Sequence, residues 1–164
     1  MGEKFKFENW SRRKLLGGFG AAVAGGSAVG LLGAHANQRE RPVETAEPNA
    51  DGESTPGELR WLLVDADIDV EEMVRRGDDL VVRYASAASS IDEHNQELVE
   101  VTSQYVTHVE HDGEGARLVA EVDERFEEPQ TSYHVTADWV RSYLDDEMSS
   151  TELVNTVART EKGR

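Results

Sequence analysis

Cysteine is missing from all 164 residues, which excludes disulfides, thiolate metal sites, thiol nucleophiles and lipid attachment through sulfur. Lysine is nearly missing from most of the chain. Beyond Ala36 the one lysine is Lys162, and every other cation is arginine. Glycine clusters in one place only, between Gly17 and Gly33, so no glycine-rich loop of the kind that cradles phosphate stands elsewhere. Strong hydrophobic runs are lacking too. The twenty uncharged residues from Leu15 to Ala34 are long enough to cross a hydrocarbon core, but seven glycines and Ser27 dilute seven leucines, phenylalanines and valines. Those seven contribute roughly -2 to -4 kcal/mol at mid-bilayer, which makes insertion marginal.

Acid is abundant. The formal net charge is -16, which rules out nucleic acid or an anionic membrane surface as the default partner. Up to Ala36 five lysines and arginines face Glu3 and Glu8, a balance of +3, so the remainder carries -19. A surface this acidic repels itself at low salt. At molar salt the Debye length falls to about 3 Å and the repulsion fades. The excess of Asp and Glu, with arginine in place of lysine, resembles the composition of proteins from extreme halophiles.

The basic stretch before the apolar run reads SRRKLLG from Ser11, and the run ends in AHA at Ala34 to Ala36. A positive start, a weak apolar centre and a small-x-small end form the three-part layout of a signal peptide. SRRKLLG resembles the twin-arginine (Tat) translocation signal, with Ser11, Arg12, Arg13, Leu15 and Leu16 on its pattern. Leu15 replaces the commoner phenylalanine, and Gly17 stands where lysine is frequent. The resemblance implies passage through the twin-arginine translocase in a folded state and a final place outside the cytoplasmic membrane. Residues 1–36 are then either removed, with Ala34 and Ala36 marking the cleavage site, or kept as a tether through Leu15 to Ala34.

Residues 37–55 hold two of the four prolines and Val43 as their one large apolar residue, which predicts a flexible acidic linker. A small domain is expected over 56–160. Thr55 with Glu58, Ser90 with Glu93 and Ser149 with Glu152 have the spacing of capping boxes, and Pro56 suits a first helical position. Apolar stripes predict helices after each, with a further one around Trp139 to Leu144, and Gly113 is placed to end the longest. DIDVEEMV and LVVRYAS, separated by a turn at Gly77, read as one hairpin. ARLVAEVDE and TSYHVTA, separated by an acidic loop with Glu127 and Glu128, read as another. The order αββαββαα predicts an α+β fold of two layers, a four-stranded antiparallel sheet with helices on one face. This pattern resembles that of small uncharacterised exported proteins of halophilic archaea, a resemblance that implies no activity.

Chemistry is sparse. His108, His111 and Asp112 are close enough on one helix end to ligate a metal, although a helix C-terminus favours histidine without one. Ser132, His134 and Asp138 suggest a hydrolytic set, without a nucleophile elbow or an oxyanion motif. Carboxylate clusters such as Asp145 to Glu147 fit a solvated surface. No catalytic residue, cofactor or metal is therefore assigned. The reading is an exported, noncatalytic module that binds an extracellular protein or itself. A hydrolase without a motif and a metal or solute binder at His108 and His111 are the alternatives. Strand alternation puts Val81, Arg83, Val119 and Glu121 on the face away from the helices, which is expected to carry the partner surface.

Overall fold

The structure, a computed structural model, describes residues 39–123 and 131–163. In chain order the elements are β1 (Arg41–Pro42), α1 (Pro56–Asp65), β2 (Asp69–Arg76), β3 (Asp79–Ala85), α2 (Ile91–Glu110), β4 (Arg117–Asp123), β5 (Thr131–Thr136), α3 (Ala137–Leu144), α4 (Ser150–Ala158) and β6 (Lys162–Gly163). The targeting residues Ser11, Arg12, Arg13, Leu15 and Leu16, the cleavage residues Ala34 and Ala36, and Glu127 and Glu128 lie outside the described residues. Among the described residues no helix is long and apolar enough to cross a membrane.

Local chemistry starts and stops the helices. Thr55 and Ser149 head full capping boxes, each hydroxyl accepting from the N–H three residues on while Glu58 or Glu152 accepts from the cap's own N–H. Ser90 caps α2 in the same way, but the Glu93 carboxylate accepts from Ser89 instead. At the far end of α2 it is Asp112, at φ 54°, that takes the left-handed position expected of Gly113. The N–H of Gly113 then closes the turn on the His108 carbonyl at 2.8 Å.

The sheet is mixed rather than purely antiparallel. Both hairpins form, but β3 and β4 pair in parallel, from Asp79 beside Arg117 to Ala85 beside Asp123. The twenty residues of α2 span about 30 Å, more than a seven-residue strand at about 23 Å. The helix therefore carries the chain back across the sheet, and β4 starts beside the start of β3. Two two-residue strands, β1 and β6, extend the four long ones to the order β1-β2-β3-β4-β5-β6.

One core joins the layers. Leu80, Val82 and Tyr84 of β3, Leu118, Ala120 and Val122 of β4, and Tyr133 and Val135 of β5 pack with Leu59 and Leu63 of α1, Leu98, Val101 and Tyr105 of α2, Val140 of α3 and Leu153 and Val157 of α4. All four helices thus cover one face, as alternation predicts. A bulge at Glu71 adjusts β2 to this division. Val70 pairs with Tyr84 and Glu72 with Arg83, so the extra residue sends Met73 into the core and Glu72 to the opposite side.

The segment read as a linker runs along the domain from residue 39. Val43 N–H donates to the Met73 carbonyl at 2.8 Å, and the Arg60 guanidinium to the Val43 carbonyl at 2.7 Å. Asn49 N–H donates to Glu58 at 2.8 Å, and Ser54 N–H to the His111 carbonyl at 2.8 Å. With so little apolar content, this segment meets the core only through the partly buried Val43. Hydrogen bonds and ion pairs supply most of the rest of its hold.

Candidate interaction face

The face of the sheet without helices is organised by register into three rows. Val74, Val81, Val119 and His134 stand side by side across β2 to β5. On one flank run Glu72, Arg83, Glu121 and Ser132; on the other, Arg76, Asp79, Arg117 and Thr136. Opposite charges therefore alternate across strands on both sides of an apolar row, the arrangement in which directly facing side chains attract.

The first charged row closes into a network. Arg83 Nε donates to Glu121 at 2.8 Å, one terminal nitrogen to Glu72, and the other to Glu40 at 3.1 Å. Glu40, just ahead of β1, also accepts from Arg76 Nε at 2.9 Å. Burial alone lowers the pKa of Arg83, but its hydrogen bonds to Glu121, Glu40 and Glu72 outweigh that and raise it. The hydrogen bond from Arg76 holds the Glu40 carboxyl below its ordinary range. On the other flank Arg117 donates to Asp79 at 2.7 Å.

Arg83, Val119 and Glu121 are thus placed as the alternation predicts, each partly exposed. Val81 is a correction. It points to the helix-free side yet is 0% exposed, and Val74 beside it is 2% exposed. The accessible part of the apolar row lies towards β5, where the His134 ring stacks on Trp139 with centroids 5.5 Å apart. Glu40, Glu72, Val74, Arg76 and Trp139 were not legible as members of this face. Val70 and Met73, apolar and three apart in a strand, are the signal that locates the bulge and hence Glu72.

The hydrolytic set does not assemble. Ser132 and His134 do share a face of β5, but the Asp138 side chain is 90% exposed and bound to Arg141 at 3.0 Å. His134 has its pKa lowered by burial, then by Arg117 and Lys162.

His108 of α2 and His111, the residue just past that helix, make structural contacts. His108 is fully buried. Its Nδ1 lies 2.7 Å from the Ser54 hydroxyl, and its Nε2 lies 3.0 Å from the Glu114 carbonyl. A carbonyl can only accept, so Nε2 carries the proton, and Nδ1 of the neutral ring accepts from Ser54. Burial lowers its pKa, keeping the ring neutral. The ring also stacks on Tyr105 at 5.9 Å. His111 Nδ1 lies 2.8 Å from the Thr107 carbonyl and so donates to it. With both His108 nitrogens committed, the pair offers no ligand set, and no group of three or more potential ligands occurs among the described residues.

These observations define an α+β domain with helices on one side and a row-patterned sheet face on the other. Residues 49–164 match the family described as Domain of unknown function (DUF8159), and the chain belongs to that family. No curated protein and no solved structure matches it.

Proposed function

We propose that the protein is an exported, noncatalytic interaction module of a halophilic organism, binding an extracellular protein through the helix-free face of its sheet. The observation that carries this reading is the row ending in Val119 and His134, flanked by paired charges, on the face opposite the helix-packed core, with Trp139 of α3 stacking on the His134 ring at its edge. An apolar strip framed by polar groups is the usual make-up of a binding patch. Export rests on Ser11, Arg12, Arg13, Leu15 and Leu16, followed by the apolar segment and Ala34 to Ala36. The excess of acid supports work at high salt.

Two experiments separate the halves of this reading. A photo-crosslinking residue at Val119, used on whole cells at native salt, is expected to give one defined adduct. The same residue at Val64, half exposed on the helix layer, is expected to give none. No adduct from Val119, or the same adduct from both sites, overturns the assignment of the face. Changing Arg12 and Arg13 to lysine is expected to strand the protein in the cytoplasm, because the translocase reads the guanidinium pair and not charge alone. Normal export of that variant overturns the address.

A further inference from the structure

Residues 39–43 lie ahead of the family match, which starts at residue 49, and dock on the sheet as a peptide would. Arg41 and Pro42 pair with Arg75 and Val74 on the open edge of β2. Val43 adds a backbone hydrogen bond to Met73 and packs against the core, with its carbonyl held by Arg60. Glu40 places one carboxylate between the guanidinium groups of Arg76 and Arg83. Backbone bonds to a sheet edge, a side chain in an apolar contact and a charge in a fork are the components of recognition by strand addition.

The hold is light. Two residue pairs and a few hydrogen bonds fix the segment, Arg41 and Pro42 are exposed, and the Glu40 ion pairs are open to screening by salt. Such an edge strand belongs to the part of a fold that opens locally first. Once it is lifted, Arg76 loses Glu40 and is left with Glu121 at 3.7 Å, while the β2 edge regains open backbone groups.

We propose that this edge groove is a binding site for an extended segment of a partner protein that carries a carboxylate, and that residues 39–43 occupy it in cis. Charge complementarity between Glu40 and the Arg76 and Arg83 pair selects a carboxylate-bearing occupant. The proposal rests on the interaction-module reading and adds the chemistry of the partner and the means by which access is controlled.

A labelled peptide of the chain's own sequence from Gln38 to Thr45, QRERPVET, serves as the probe, titrated against the purified full chain. The Glu40→Lys chain loses the cis carboxylate and sets a cation beside two arginines, so it should bind the peptide at least tenfold more tightly than the unchanged chain. Adding Arg76→Met to that variant should abolish the gain, as should a peptide with lysine in place of its glutamate. Circular dichroism confirms that each variant is folded. Equal binding to both chains, binding to neither, or equal binding of the lysine peptide overturns the proposal. A dimer of the unchanged chain that the peptide dissolves overturns it differently, by naming a second copy as the occupant. Because the probe is measured on purified protein, its failure leaves the Val119 cross-link and the export test standing on their own.

Discussion

The two faces of one sheet are held together by different physics. On the covered face, Leu118, Ala120, Val122, Tyr133 and Val135 meet four helices, and removal of apolar surface from water supplies the stabilisation. On the other, Val119 and His134 continue the apolar row, while Arg117 and Glu121 enter the rows that carry paired charges. Adjacent residues therefore differ in what they can tolerate. Leu118 belongs to a packed interior, while Val119 borders solvent. What the contrast teaches is that strand alternation assigns a face, whereas burial also depends on position along the row.

Val81 and Val119 offer the sharpest way to break the comparison, because they are directly registered neighbours on the same face. Val81→Asp sets a carboxylate at a fully buried position and should cost about 3–5 kcal/mol in denaturant unfolding. Val119→Asp, partly exposed, should cost about 1 kcal/mol or less. Equal losses would show that the helix-free face is uniformly covered or uniformly open, and the gradient along the row would be lost.

Gly113→Ala probes the covered side at its least forgiving point. A methyl group there would overlap the His108 ring, and that ring cannot retreat while Ser54 and the Glu114 carbonyl hold it within the fold. Overpacking of this kind costs roughly 1–3 kcal/mol. Unfolding midpoints of the variant and the unchanged chain measure it. A neutral substitution would mean that the α2 terminus relaxes freely and that His108 is less fixed than its contacts indicate.

How much of this was legible in advance follows from the range of each interaction. Capping at Thr55, Ser90 and Ser149 involves partners three residues apart, and two of the three boxes form in full. The hairpin turn at Gly77, with φ 62°, is equally local. Parallel pairing of β3 and β4 was not legible, because alternation is the same in either direction and the path of α2 decides. The ion-pair network and the His108 contact escaped because their partners are far apart in sequence: Glu40 meets Arg83 across 43 positions, and Ser54 hydrogen-bonds His108 across 54. Asp112 replaces Gly113 in the left-handed position because aspartate tolerates that conformation, leaving glycine where the close approach of His108 needs it.

Acid should separate the two sides by their histidines. Burial lowers the pKa of His108 below the unfolded value near 6.5, so its contribution is fully present above pH 6.5. As pH falls from there towards the folded value, the unfolded chain takes up a proton that the folded chain refuses, and stability drops, by at most about 1.4 kcal/mol per pH unit for one group. Glu40, Glu58 and Glu114 are lowered from 4.5, so their losses come at more acid pH. His108→Gln should therefore flatten the slope between pH 7 and pH 5. His134→Gln should do so less, since that ring is partly exposed on the other face. Equal flattening would place both rings in similar surroundings.

Salt gives the smallest effect and the finest distinction. The -19 carried beyond Ala36 repels itself, so the unfolding midpoint should rise from low to molar KCl. The Arg83 and Glu121 pair opposes this trend, because screening weakens attraction as well as repulsion. With side chains 28% and 13% exposed, the pair should show a coupling of about 0.5–1 kcal/mol in a double-mutant cycle at low salt, shrinking as KCl rises. Apolar contacts in the core should carry no such salt-dependent coupling. A double-mutant cycle between Leu118 and Val135, registered neighbours in the core, should be insensitive to salt over the same range. If the Arg83 coupling persists undiminished at molar KCl, the network is sealed from solvent, and the helix-free face would have to be redrawn as a second interior.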